Sequence, residues 1–348
     1  MAVRTDPAPR RRRLLDRLLP ARRQDDERPR LSPGWRVIAG KELTDHVTSV
    51  RFIVLLVIIG IAAAVPLYFA AGRIRELASQ LTSNQAVFLA LFTLGPEDFG
   101  LLRADTFVGL FAPLLGIAFG FDAVNVERSE GTLPRLVSQP IHRDDVINGK
   151  FVAGLSVIAL VLVAMVLLVS GFGILQLGLV PDVSEVLRIV AWILVTVLYA
   201  GFWLAFGMLL SVLVRRAATS ALIGFGAWLL LTFFGGLITS LIGNFVAPIS
   251  GSNDEILRNV GLQQTISRLL PDTLYREASL VLLNPQVTNV STPATVGAYQ
   301  QAQERIPSLL SLDQSFILVW PQVVALVALT VACFAIAYVR FMRQEVRA

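Results

Sequence analysis

The sequence predicts an all-α membrane protein: six transmembrane helices, a cytoplasmic amphipathic N-terminal helix before them, and a short cytoplasmic helix between spans two and three. Three observations predict it. Of 348 residues, 55% are hydrophobic and only 16% are charged, too apolar for a water-soluble domain of this size. The apolar residues fall in six runs that meet the length needed to cross hydrocarbon, about 20 residues at about 1.5 Å each. Lysine and arginine gather on alternate connections, as they do when insertion retains them on the cytoplasmic side.

Residues 1–33 mix proline, arginine and aspartate with little apolar content beyond Leu14, Leu15, Leu18 and Leu19. They read as a flexible basic cytoplasmic tail lying against anionic lipid. More charge follows those leucines, where a cleaved signal peptide would have a continuous apolar core and a small-residue cleavage site. Over residues 34–51 the pattern changes: Trp35, Val37, Ile38, Leu43 and Val47 alternate with Arg36, Lys41, Glu42, Asp45 and His46. An amphipathic interfacial helix accounts for this, and a plain basic anchor that fixes topology is the alternative.

The membrane domain, 52–348, has spans expected at about 52–71, 106–124, 151–180, 186–214, 217–246 and 316–341. The third to fifth are long enough to tilt or continue beyond the lipid. The outer loop, 247–315, carries helix-like stretches around 254–270 and 293–310 and reads as a small outer cap. Its apolar residues Ile256, Leu257, Val260, Ile266, Leu269 and Leu270 suggest a packed face. Glycines such as Gly171, Gly173, Gly224, Gly226, Gly235 and Gly236 suit close helix approach or bending.

Charge orients the spans. Residues 1–51 hold thirteen Lys/Arg, 125–150 hold four, Arg215 and Arg216 add two, and three follow from Arg340. The net +5 resolves to about +9 on the inside and −4 on the outside, so it expresses topology and lipid contact, with no call for nucleic acid. Both termini are expected in the cytoplasm and the chain in the plasma (inner) membrane.

Several chemistries are excluded. No Gly-x-x-x-x-Gly-Lys-Ser/Thr phosphate loop exists, because Gly149-Lys150 is followed by Phe151. His142-Arg143-Asp144 lacks the metal-binding asparagine of a kinase loop, since Gly149 stands in its place. The two histidines, His46 and His142, both fall on the cytoplasmic side, so neither a zinc-protease helix nor a serine–histidine pair within the membrane is available. Cys333 alone supports neither an internal disulfide nor a cysteine metal cluster. No ionisable residue lies at mid-span, which argues against a proton path. No catalytic residue, metal or cofactor is expected on this chain.

The stretch from Asp122 to Phe151 carries the functional argument. Gly131 breaks the preceding helix, Thr132 is suited to cap a new one, Pro134 is acceptable in its first turn, and Pro140 ends it. The resulting short helix presents Leu133, Leu136 and Val137 on one side and Arg135 on another. A rigid capped helix joined to two spans has the form of a docking element.

The Glu-Arg-x-x-Gly-Thr-Leu run at 127–133, the Pro-Ile-x-Arg run at 140–143 and Gly149-Lys150 resemble the type-2 ABC transporter permeases. The branch that includes the nitrous-oxide-reductase maturation permeases is the most similar. Lys41-Glu42-Leu43 and the 49–52 segment are similar to that family's amphipathic N-terminal helix. The resemblance implies that 52–348 is a permease domain and that the 130s helix is a coupling helix, with Glu127, Arg128, Gly131, Thr132, Leu133, Arg135 and Leu136 meeting a separate ABC ATPase subunit. ATP and Mg would bind that partner; a second permease, identical or homologous, would complete the path, and the direction would be export. Two other readings stand beside it: a proton-coupled secondary transporter, and a non-transporting membrane assembly factor. An interior of leucine, valine, phenylalanine and glycine suits many substrates alike.

Overall fold

The computed structural model describes residues 34–77, 86–95, 103–129, 142–249, 252–287 and 310–343; among them are eleven helices and no strand. The helices are α1 (Gly34–Val47), α2 (Val50–Leu77), α3 (Ala90–Thr93), α4 (Ala104–Gly120), α5 (Asn125–Ser129), α6 (Arg143–Leu177), α7 (Val183–Leu213), α8 (Ala217–Val246), α9 (Asn253–Ser267), α10 (Pro271–Leu283) and α11 (Leu312–Met342). Five stretches are long and apolar enough to cross a membrane: α4 with α5, then α6, α7, α8 and α11. The first expected span, 52–71, lies inside α2, 28 residues that stay helical through Pro66. The expected basic tail and the helix-like stretch at 293–309 lie outside the described residues.

Local chemistry sets the helix ends. α6 starts at Arg143, earlier than expected, with Asp144 and Asp145 in its first turn where the helix dipole favours acid. It stops at Gly178, whose φ of 66° is readily adopted only without a Cβ. Asp182 and Glu185 form a capping box that opens α7, and Ser252 with Glu255 does the same for α9. Both satisfy backbone N–H groups that a helix start leaves unpaired. The bounds of α8 coincide with the expected fifth span.

α7 is the central post. Two-thirds of its apolar window, 67%, is buried inside the chain, against 17% for α8. Trp192, Tyr199, Trp203 and Met208 are fully buried along it. α4 lies against it at backbone contact: a Cβ on Gly116 would stand 2.4 Å from the Ala200 carbonyl oxygen, and one on Gly120 would stand 2.6 Å from that of Leu204. This Gly-x-x-x-Gly pair lets two helices touch where lipid offers no hydrophobic force to press them together. Of the glycines expected to permit approach, Gly173, Gly224 and Gly235 do meet neighbouring side chains, whereas Gly171, Gly226 and Gly236 have nothing near them.

Within the region expected to form an outer cap, the described residues include a helix that packs into the bundle. α10 is inserted among α4, α7 and α11. Its Tyr275 ring stacks on Tyr199 at 4.6 Å and passes over Gly109, while Trp192 Nε1 donates to Ser279 Oγ at 3.0 Å. Arg188, buried in α7, donates to Ser315 Oγ at 2.9 Å and to the carbonyls of Leu282 and Leu310, tying α7 to both neighbours. Gln322 of α11 donates to Glu277 at 2.8 Å. These partners satisfy polar groups that are costly to leave bare at membrane depth. The packed apolar face expected around α9 is present in part: Ile256, Val260, Ile266 and, beyond the helix, Leu270 are half-buried, Leu257 and Leu269 are exposed, and α9 is held to the end of α8 by Asn259, whose amide donates to Asn244 Oδ1 and the Ala247 carbonyl.

Candidate functional site

At the opposite end of the bundle from α10, three helices meet on one lysine. α1 lies along the first turns of α6, with Ile38 buried between them. The close approach depends on Gly149, since a Cβ there would stand 2.8 Å from Ile38 Cβ and 2.9 Å from the Trp35 carbonyl oxygen. The next residue, Lys150, reaches out of that seam. Its Nζ lies 3.0 Å from Glu42 Oε1 on α1 and 2.9 Å from Glu127 Oε1 on α5, and the three side chains are only 10%, 14% and 12% exposed.

This geometry is a clamp. Two carboxylates from different helices share one ammonium group, which compensates both buried charges at once. α5 is also fixed from the other side. The backbone N–H groups of Val124 and Asn125 both donate to Ser211 Oγ in the last turn of α7, at 3.0 and 3.1 Å, and Ser211 is fully buried. The start of the segment that links α5 to α6 is therefore pinned to α1, α6 and α7 together.

Of the residues singled out in the sequence, Glu127 enters this cluster and Arg128 sits half-buried beside it. Gly131, Thr132, Leu133, Arg135 and Leu136, with the short helix expected to hold them, lie outside the described residues. Sequence reasoning missed the partners of Glu127. Lys150 and Glu42 were visible as parts of short motifs, but nothing in a linear pattern pairs Glu42 with a lysine 108 positions away.

His46 sits one turn beyond Glu42, its ring edge-on to Phe119 of α4 at 5.1 Å between centroids. Burial holds its pKa below the ordinary 6.5; Lys150 pushes the same way, while Glu42, Asp122 and Asp45 oppose it. A depressed folded-state pKa means that the unfolded chain takes up the proton first. The histidine's contribution is then fully present above about pH 6.5 and is lost as pH falls through the folded value. We expect the melting temperature in detergent to drop as pH falls below about 6.5, the unfolded value, and His46→Phe to flatten that drop. An unchanged pH slope in the variant would remove His46 from the account.

A family model described as ABC-2 family transporter protein matches residues 36–346. No curated protein sequence matches the chain. The match spans α1 through α11 and so includes the clamp as well as the bundle.

Proposed function

The chain belongs to the ABC-2 family of transporter proteins and is a multi-pass membrane permease; from that premise we propose that it is the membrane half of an ATP-driven exporter, coupled through the 125–141 segment to a separate ATPase subunit. In this reading α2 is the first of six spans, and both termini and the clamp face the cytoplasm, where the excess of Lys/Arg falls. The partner binds ATP and Mg, and a second permease chain completes the pathway in the plasma membrane.

The observation that carries the reading is the Glu42–Lys150–Glu127 clamp. An ATPase that closes on nucleotide delivers force only through an element that does not give way. Here the segment leaving span two is fastened to α1, to the base of α6 and to the end of α7. A push on the segment then rotates spans and is not absorbed by a slack loop. A plain connection between two helices has no need of a buried three-charge junction at its root.

The test is affinity co-purification in mild detergent of the native chain and of a Glu127→Lys, Gly131→Pro double variant. The native chain is expected to bring down a nucleotide-binding subunit and the variant to lose it. If no nucleotide-binding subunit associates with the native chain, the coupling reading fails.

A further inference from the structure

Between α7, α10 and α11 runs a laterally open groove of about 530 Å³, walled by Leu187, Ala191 and Leu194 of α7 and by Phe316 and Trp320 of α11, with Leu282 of α10 at its floor. We propose that this groove binds one lipid acyl chain from the leaflet remote from α1, the outer leaflet under the orientation proposed above.

Length commits the occupant. The lining runs from Leu187 to Leu198 on α7 and from Leu312 to Val323 on α11. Each wall therefore covers about 16 Å of helix axis, against about 15 Å for the hydrocarbon of a single leaflet. Both walls begin at the ends of their helices remote from α1. The groove accordingly extends from the membrane surface to the midplane, the path of one acyl chain.

Chemistry agrees with length. All twelve lining residues are apolar, although the same helices carry many polar groups. On α7, Arg188, Trp192 and Thr196 repeat every fourth residue along the neighbouring, buried face and have their hydrogen bonds satisfied there. On α11, Ser315 and Gln322 likewise face inward. The segregation leaves a groove whose only side-chain hydrogen-bonding group is the Trp320 indole N–H, fewer than the roughly two to four partners that hold a water, and its mouth opens between two membrane-spanning helices onto hydrocarbon. Its volume falls within the range of about 300–1,000 Å³ typical of small-molecule sites, well beyond the packing gaps that separate ordinary helices. An unfilled space of this size forfeits dispersion contacts along its whole lining, which a flexible acyl chain restores.

The experiment is native mass spectrometry of the full chain purified from membranes and washed in detergent, with extraction to identify what remains bound. Ala191→Phe fills the groove from α7, and Val190→Trp is a second filling variant should the first fold poorly. Leu222→Trp places equal bulk on the exposed face of α8 as the control. The native chain and the control are expected to retain a lipid, and the filling variants to retain it about tenfold less, a change of about 1.4 kcal/mol. The mass of the retained species tells a phospholipid from a free fatty acid, and either supports the acyl-chain site. Equal retention by filled and native chains overturns the proposal, as does a native chain that retains none. A filling variant that changes oligomeric state with retention untouched also overturns it, and assigns the groove to a second copy.

Discussion

Lys150→Met is expected to lower thermal stability sharply and to uncouple transport from ATP hydrolysis. The substitution keeps the length and apolar stem of the side chain but leaves Glu42 and Glu127 facing each other, 14% and 12% exposed, with no cation between them. Removing one partner of a buried ion pair costs about 3–5 kcal/mol, because a buried charge loses its counter-ion. The expected readouts are a lower melting temperature in detergent and a loss of about tenfold or more in ATP-dependent flux, a change of at least about 1.4 kcal/mol in coupling. A triple variant, Glu42→Gln, Lys150→Met, Glu127→Gln, separates the two effects. With no charge left to strand, its melting temperature recovers, while flux stays low because α1, α5 and α6 are no longer fastened to one another. A melting temperature unaffected by Lys150→Met would show that the clamp holds nothing.

Gly116→Leu is expected to have the other large effect, on folding itself. The new Cβ would lie 2.4 Å from the Ala200 carbonyl oxygen and 2.7 Å from the Leu204 amide nitrogen, both backbone atoms of α7. A side-chain neighbour could rotate away, but backbone moves only if the whole helix moves. α7 cannot move alone, because α4, α6, α8, α10 and α11 all pack on it. Overpacking typically costs about 1–3 kcal/mol, and Gly116→Ala is expected to fall in that range, with Gly116→Leu beyond it. Size-exclusion chromatography and melting in detergent check both. Gly171→Leu serves as the comparison: nothing lies within 4 Å of the added atom, so it is expected to behave as the native chain.

Those two glycines show where sequence reasoning stopped. Gly116 and Gly171 occupy equivalent settings in apolar runs, and only the neighbouring helix distinguishes them. Features that depend on one segment alone were legible. The bounds of α8 followed from a continuous apolar run closed by Arg216, and the start of α7 follows from Asp182 and Glu185 three residues apart. α10 was missed for a different reason. At 13 residues it is far too short to span, and its sequence mixes Asp272, Arg276 and Glu277 with apolar residues, so a search for hydropathy passes over it. The signal was periodicity. Leu274, Tyr275, Ala278, Val281 and Leu282 recur at helical spacing behind Pro271, a residue favoured at the first helical position. The candidate site was half legible. Glu127 and Gly149-Lys150 stood out as motif residues, but that Glu42 and Glu127 share the lysine is a tertiary fact.

The central claim is that force enters this chain from a separate ATPase through the segment that follows Glu127. The most direct measurement places a photo-crosslinking amino acid at Leu136 in cells, with the same group at Leu222 on the exposed face of α8 as the control, and identifies the captured chain by mass spectrometry. The account predicts that Leu136 captures a protein carrying a Gly-x-x-x-x-Gly-Lys-Ser/Thr phosphate loop, that Leu222 does not, and that Lys150→Met weakens the capture. Capture of no nucleotide-binding protein at Leu136, with the probe reactive and the permease in the membrane, would contradict it.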